Sequence, residues 1–167
     1  MLEWGHTLLW HLSESKVSAR ALAVREINWV KVDNMLEVSG AILVNNGEIL
    51  CAQRNKGKYE YVSYKYEFPG GKIEQGETAA EALHRELIEE MEVDIPIDSM
   101  KHFYTVEHTY PDFNIRMHCY ICNMKERRIV LKEHVNAVWK SLQSIGELDW
   151  AAADRPVVEA LIKRGEI

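Results

Sequence analysis

Three glutamates, Glu86, Glu89 and Glu90, lie at positions i, i+3 and i+4 of a segment whose pattern predicts an α-helix. Residues at these spacings share one side of a helix, where each close pair of like charges costs about 0.2–0.5 kcal/mol. Carboxylates held this close also raise one another's pKa unless a cation neutralises them. Oxygen ligands at this spacing suit Mg²⁺ or Mn²⁺, which prefer hard donors. The cluster therefore indicates either a divalent-metal site or a solvated charged face.

The helix that carries these glutamates is expected to run from about Thr78 to Met91. Thr78 is a suitable N-cap, and Glu81 follows it at the spacing of a capping box. Arg85 lies one turn before Glu89 and is placed to hold a carboxylate in the orientation that a metal needs. A buried stripe is predicted at successive i+4 steps, at Ala79, Leu83, Leu87 and Met91.

The segment "EFPGGKIEQGETAAEALHRELIEEMEV", residues 67–93, resembles the signature of the Nudix hydrolases. The residues that match this signature in register are Gly71, Glu77, Arg85, Glu86, Leu87, Glu89, Glu90 and Val93. Only the last glycine of the signature is replaced, by Glu92, at a helix end where a positive φ is easy for glycine. We expect this glutamate to cost about 1 kcal/mol or to shift the end of the helix.

The resemblance implies roles for individual residues. The implied metal ligands in the signature segment are Glu86, Glu89, Glu90 and the Gly70 carbonyl. Glu77 and Arg85 are implied as supports for these ligands, and Arg85 is counted with the glutamates in the catalytic set. In "LKEHVNAVW", Glu133 occupies the place of a loop glutamate that gives a further ligand or the base; the alternative is an ordinary loop carboxylate. Glu74 and Glu81 are expected to be solvated.

The resemblance also implies an activity. The region from Leu36 to Leu161 looks like the MutT-type branch, which hydrolyses nucleoside triphosphates with Mg²⁺ to nucleoside monophosphate and pyrophosphate; Mn²⁺ is a possible substitute. The expected substrate is an oxidised nucleotide such as 8-oxo-dGTP, which would make the enzyme part of DNA repair. The alternatives are a CTP or modified-dCTP pyrophosphohydrolase, an ADP-ribose or other nucleoside diphosphate hydrolase, and a binding module without catalysis.

Four residues are candidates for contact with the nucleotide. Arg54 and Lys72 are either phosphate contacts or surface cations, and Phe68 either lines a base pocket or belongs to the core. Asp154 in "AAADRPVVEAL" either contacts the base or caps the final helix. An ionised Asp accepts two hydrogen bonds, which fits the N1–H and N2–H₂ donors of guanine, whereas cytosine requires a protonated Asp. This favours guanine.

The remaining pattern predicts the elements that position these residues. A hairpin is expected around Asn45-Asn46-Gly47. Strands are expected over 101–110, 115–124 and about 136–140, and a last helix from Asp154-Arg155-Pro156 to Arg164, before Gly165. The expected fold is α+β, an α/β/α sandwich of the Nudix type with a mixed central sheet, the signature helix and a C-terminal helix. Residues 35–167 are the predicted domain, and residues 1–34 are a predicted peripheral extension, with Met35 a candidate functional start.

Composition excludes several classes of protein. The chain has 167 residues and a net charge of −6, which argues against a broad basic surface for duplex nucleic acid or lipid. Cys119 and Cys122 are three apart on a predicted strand and face opposite sides, so no zinc site is expected. The apolar runs are too short for a membrane span, and no signal peptide is recognisable. We therefore expect a cytoplasmic protein, monomeric or weakly dimeric, whose partner is a small nucleotide.

Overall fold

The computed structural model describes residues 35–167, and the predicted extension of residues 1–34 lies outside the described part. The elements, in chain order, are β1 (Met35–Asn45), β2 (Glu48–Arg54), β3 (Tyr66–Glu67), α1 (Ala79–Met91), β4 (Lys101–Thr109), β5 (Asn114–Asn123), β6 (His134–Ser141) and α2 (Arg155–Arg164). Short 3₁₀ turns cover Glu60–Val62, Ile97–Ser99 and Ile145–Glu147. The predicted strands and both predicted helices are confirmed, with ends shifted by at most a few residues.

The six strands form one mixed sheet in the order β3-β2-β1-β5-β4, with β6 on β2. Strands β1 and β5 are parallel, whereas the other pairs are antiparallel. Strands β1 and β2 are joined by the predicted hairpin, where Asn46 and Gly47 have φ of 52° and 75°. These two positive φ values are those of a type I′ turn, which asparagine and glycine tolerate best.

A wedge of chain separates β1 from β2 beyond their turn. The two strands pair only next to the hairpin, and the segment that begins with β3 enters the gap. On one side β3 pairs with β2. On the other side the Ser39 N–H donates to the Gly71 carbonyl at 2.9 Å, and the Ala41 N–H donates to the Pro69 carbonyl at 2.7 Å. The Pro-Gly-Gly turn is therefore held at the centre of the sheet.

Each face of the sheet has its own apolar core under one helix. Leu83, Leu87 and Met91 of α1 pack on one face with Leu43 and Leu50. The other face is covered by α2 through its residues Val157, Val158 and Leu161. This is the predicted α/β/α sandwich. Within the stripe of α1, one detail was wrong: Ala79 is only half-buried and the fully buried alanine is Ala82, which lies beside Leu83.

The two neighbouring cysteines confirm the strand reading of their segment. Cys119 lies in the core under α2, and Cys122 lies in the core under α1, so the sheet separates them. Burial raises the pKa of the Cys122 thiol to about 12 and keeps it protonated. Among the described residues, no helix is long and apolar enough to cross a bilayer.

Candidate active site

Two glycines allow the turn after β3 to fit between β1 and α1. Gly70 has a φ of +152°, and a Cβ there would lie 2.1 Å from the Ser39 carbonyl oxygen. A Cβ on Gly71 would lie 2.2 Å from the carboxyl carbon of Glu86. The first glycine lets the backbone lie against β1, and the second leaves room for the Glu86 carboxylate.

The ends of α1 are fixed by local hydrogen bonds. The Thr78 hydroxyl accepts from the Glu81 N–H at 3.3 Å, and the Thr78 N–H donates to the Glu81 carboxylate at 2.7 Å, so the predicted capping box is confirmed. At the other end Glu92 adopts the left-handed conformation with φ 55° and ψ 34°. The glutamate therefore keeps the helix end where the signature places glycine, at a cost of about 1–2 kcal/mol.

Arg85 organises the carboxylates of the signature. Its Nε and Nη2 donate to the two carboxylate oxygens of Glu77 at 2.8 and 3.0 Å. Its Nη1 donates to Glu86 at 2.8 Å and to Glu89 at 3.3 Å, and Nη2 also reaches the Lys72 carbonyl at 3.0 Å. Hydrogen bonds from Arg85 lower the pKa of Glu77 to about 2. The guanidinium thus occupies the supporting position that the resemblance implied.

Glu90 and Glu133 meet although they are far apart in the chain. The loop before β6 is docked on the end of α1, where the Lys132 N–H donates to the Glu90 carbonyl at 3.1 Å. Burial, followed by the nearby charges of Glu133 and Glu86, raises the pKa of Glu90 to about 8. The structure therefore brings the predicted loop glutamate to the signature helix, and among residues 35–167 no basic side chain forms an ion pair with either carboxyl group.

The donor set suits a hard dication. Over residues 35–167, no three acidic, histidine or cysteine side chains converge closely enough to form a metal site alone, and Glu86 and Glu89 instead bond to Arg85. Glu90 and Glu133 nevertheless crowd together, and a cation would relieve that repulsion. Among the described hydrogen bonds, none ends on the Gly70 carbonyl. All these donors are oxygens, which fit Mg²⁺ or Mn²⁺.

A cleft of about 640 Å³ opens beside Glu90 and Glu133. This volume lies within the usual range of about 300–1,000 Å³ for small-molecule sites. Its apolar wall comes from β1, β5 and the adjacent turns: Leu36, Val38, Phe68, Phe113, Ile115 and Met117. The cleft is also lined by Gly70 and by the remaining predicted nucleotide contacts, Arg54, Lys72 and Asp154. One concave site thus joins the acidic end to an apolar end.

The apolar end is closed by Phe68 and Asp154. Phe68 is buried and packs on Trp150 with 4.8 Å between ring centroids. Its N–H donates to the Asp154 carboxyl at 2.9 Å. The N-cap interpretation of Asp154 was wrong, because its side chain makes no capping hydrogen bond to α2 and its backbone is already helical. The Asp154 carboxyl accepts a hydrogen bond from the N–H of Phe68, which is distant in sequence, and not from the N–H groups of α2.

The charge state expected for Asp154 needs correction. The residue is 4% exposed. Burial, followed by the nearby charge of Glu67, raises the Asp154 pKa well above its usual range, against the opposing effects of the Phe68 N–H and Arg54. A neutral carboxyl offers one donor and one acceptor. The sequence-based preference for guanine over cytosine assumed an ionised Asp154 and therefore loses its basis.

The two candidate phosphate contacts differ. Arg54 is engaged at rest, because its Nη1 donates to Glu67 across the end of β2. Lys72 is exposed, and its ammonium forms no ion pair with any residue from 35 to 167. Both side chains line the cleft.

Among the cleft residues that sequence reasoning missed, Glu67, His134 and Tyr110 make side-chain contacts that bear on the site. Glu67 accepts from Arg54 and lies 3.1 Å from His134 Nε2. The Tyr110 hydroxyl accepts from the Ala153 N–H at 3.1 Å. A signal did exist for the first two: Glu67 is the acidic residue directly before the Phe-Pro-Gly-Gly run, and His134 directly follows the candidate ligand Glu133.

Comparisons with known proteins agree with this geometry. A family model described as "NUDIX domain" matches residues 33–161. The 8-oxo-dGTP diphosphatase of Escherichia coli (strain K12) is 34% identical over 127 residues, which cover 75% of this chain and 95% of that protein. The CTP pyrophosphohydrolase of the same organism is 31% identical over 130 residues, covering 77% and 92%.

A solved structure is also similar. The solution structure of a protein described as DNA mismatch repair protein MutT, from methicillin-resistant Staphylococcus aureus 252, is 34% identical and superposes with a TM-score of 0.63. The match covers 80% of this chain and 99% of that one. The signature helix, the α/β/α sandwich and these matches lead to one conclusion: the chain belongs to the Nudix hydrolase family.

Proposed function

We propose that this protein is a Mg²⁺-dependent nucleoside triphosphate pyrophosphohydrolase, with an oxidised guanine nucleotide such as 8-oxo-dGTP as its substrate. The observation that carries the proposal is the single cleft with uncompensated carboxylates at one end and a buried aromatic and acid at the other. A nucleotide has the same two chemical ends, a polyphosphate and an apolar base with a hydrogen-bonding edge. The names of the two Escherichia coli relatives support hydrolysis of a nucleoside triphosphate.

The metal would be held by oxygen donors at the acidic end. The proposed ligands are the carboxylates of Glu86, Glu89, Glu90 and Glu133 and the carbonyl of Gly70. When bound, Mg²⁺ neutralises phosphate charge and makes a water molecule a better nucleophile. Arg85 Nη1 donates to the carboxylates of both Glu86 and Glu89 and fixes their orientation.

The protein's own cations would then position the phosphates. Phosphoryl transfer depends mainly on alignment and charge neutralisation, and Arg54 and Lys72 are two of the cations that line the cleft. Attack of water on a phosphorus of the phosphoanhydride forms a new P–O bond, breaks the bond from that phosphorus to the bridging oxygen and releases a proton. The products are nucleoside monophosphate and pyrophosphate.

The base would lie against Phe68 and contact Asp154 at the apolar end of the cleft, which is therefore the proposed base end. A neutral Asp154 can donate to O6 of guanine and accept from N1–H. The same neutral carboxyl can donate to N3 of cytosine and accept from its amino group. A CTP-type substrate is therefore the second candidate, because the raised pKa of Asp154 removes the objection to cytosine.

A nucleotide screen tests this proposal. The panel contains dGTP, 8-oxo-dGTP, CTP, 5-hydroxy-dCTP and ADP-ribose, each with Mg²⁺ and with EDTA. We expect Mg²⁺-dependent formation of monophosphate and pyrophosphate, with the highest kcat/KM for 8-oxo-dGTP. A preference for the cytosine nucleotides would select the second candidate. Absence of pyrophosphate from every triphosphate would refute the proposed function.

A further inference from the structure

The carboxylate of Glu67 contacts two side chains at the ends of neighbouring strands beside the cleft, and these contacts form the Glu67 bridge. Glu67 ends β3, Arg54 ends β2 and His134 begins β6. Arg54 Nη1 donates to one oxygen of Glu67, and His134 Nε2 lies 3.1 Å from the other. Arg54 and His134 are also direct partners across β2 and β6. The Glu67 and His134 side chains are 17% and 5% exposed and the Arg54 side chain is 43% exposed, so the contact of Glu67 with His134 is the part largely shielded from water.

The chemistry of the bridge fixes the orientation of both partners. An ionised carboxylate only accepts hydrogen bonds, so both Arg54 and His134 must donate to it. The imidazole proton is therefore held on Nε2. A glutamine in place of Glu67 would have one acceptor and one donor group and could not satisfy two donors in the same way.

The bridge lies between the residues proposed to contact the phosphates and those proposed to bind the metal. All three residues line the cleft. Arg54 is a candidate phosphate contact, and His134 is bonded in sequence to Glu133, a candidate metal ligand. Fixing the His134 ring also fixes the backbone from which Glu133 projects. The carboxylate of Glu67 also places negative charge near Asp154 and Glu90. This repulsion is unfavourable, and holding the strands together does not require it.

We infer that Glu67 is a positioning residue for the reaction: it aims the Arg54 guanidinium at the substrate phosphates and, through His134, holds Glu133 at the metal-binding end. This inference rests on the proposed function, because the groups that Glu67 positions act in that function. It assigns Glu67 no contact with the reacting atoms.

The molecule contains a matched control for this bridge. Glu37 accepts from Arg116 Nη1 at 2.7 Å with one oxygen, and its other oxygen lies 3.1 Å from His118 Nε2. This second bridge has the same three residue types, but neither Glu37, Arg116 nor His118 lines the cleft. The Glu37 bridge therefore controls for the loss of the same contacts away from the cleft; its Glu37 and His118 side chains are 36% and 26% exposed, so it is more open to water.

The test compares Glu67→Gln with Glu37→Gln in the full chain. Steady-state kcat, KM and the Mg²⁺ concentration for half-maximal activity are measured, with thermal unfolding alongside. We expect Glu67→Gln to lower kcat/KM at least about 10-fold, the usual effect of removing a partner that orients metal ligands, and to raise the Mg²⁺ requirement. Glu37→Gln should keep kcat/KM within about two-fold.

A second pair of variants distinguishes a loss of positioning from a folding defect in Glu67→Gln. His134→Leu and His118→Leu each remove one donor from one bridge, and only His134→Leu should reproduce the loss of activity and the higher Mg²⁺ requirement. Equal effects of the two pairs, or wild-type kinetics in Glu67→Gln and His134→Leu, would overturn the inference and leave the proposed function standing. A wild-type protein that releases no pyrophosphate would instead refute the proposed function itself.

Discussion

The two ends of the cleft use the same chemical group in opposite ways. At the acidic end Glu90 and Glu133 lie close together, and their mutual repulsion invites a cation. At the base end Asp154 is buried beside Glu67 and favoured in its neutral form, where it keeps a hydrogen-bond donor. The difference shows that the identity of a carboxylic acid does not determine its role. In the proposed function, the number of like charges around it and its access to water decide between metal ligation and base recognition.

Removing one carboxylate from the acidic end should give the largest effect. We expect Glu90→Gln to reduce kcat by about 100-fold or more, because several kcal/mol of charge stabilisation are lost with the metal. The metal-free variant should also unfold at a higher temperature than the metal-free wild type, because the repulsion at Glu133 is gone. Glu74→Gln is the control, since Glu74 is exposed and outside the cluster. An active Glu90→Gln enzyme would contradict the metal assignment.

Substitutions at the base end separate the neutral from the ionised form of Asp154. Asp154→Asn keeps one acceptor and offers donors, whereas Asp154→Ala removes both and leaves the Phe68 N–H unpaired. We expect Asp154→Ala to lose about 10- to 100-fold in kcat/KM, equivalent to about 1–3 kcal/mol. Asp154→Asn should lose clearly less. The kcat/KM of both variants is measured with 8-oxo-dGTP and with CTP. If Asp154→Asn loses as much activity as Asp154→Ala, Asp154 is ionised in the wild-type protein.

Glu90 at the acidic end should also make the free energy of unfolding depend on pH. The Glu90 pKa is about 4.5 in the unfolded chain and about 8 in the metal-free folded protein, so the folded state binds more protons between these values. Stability is therefore highest below about pH 4.5 for this group and falls as pH rises toward 8. Chemical unfolding at several pH values should show this fall. It should disappear in Glu90→Gln and be reduced by Mg²⁺; the same pH dependence in that variant would assign it to another group.

The smallest expected effect is at the end of the signature helix. Glu92 holds a left-handed conformation that glycine adopts without strain. Glu92→Gly should stabilise the protein by about 1 kcal/mol, and Glu92→Ala should not. Activity should stay within about two-fold because Glu92 does not line the cleft. Chemical unfolding measures the difference, and a destabilised glycine variant would show that the Lys132 ion pair with Glu92 outweighs the backbone strain.

The signature helix at the acidic end was predictable from sequence because its geometry is local, whereas its contact with Glu133 requires the loop before β6 to dock on α1. The spacing of Glu86, Glu89 and Glu90 on a helix, and the capping box at Thr78, follow from the helical repeat alone. The hairpin at Asn46-Gly47 is equally local. These features need no knowledge of which strand lies beside which.

The base end could not be predicted in the same way because its contacts depend on strand order. Asp154 has the sequence of an N-cap, but the wedge of β3 between β1 and β2 brings the Phe68 N–H to it. Glu67 and His134 meet only because β3 and β6 both pair with β2. The charge state of Asp154 then follows from burial, which no short-range pattern reports.

A crystal structure with Mn²⁺ and a non-hydrolysable nucleoside triphosphate analogue tests the central claim at both ends of the cleft. The account predicts anomalous density for Mn²⁺ among Glu86, Glu89, Glu90 and Glu133, bridging to the phosphates, with the base against Phe68 and its edge on Asp154. Mn²⁺ bound elsewhere, or a base lying outside the cleft, would contradict it.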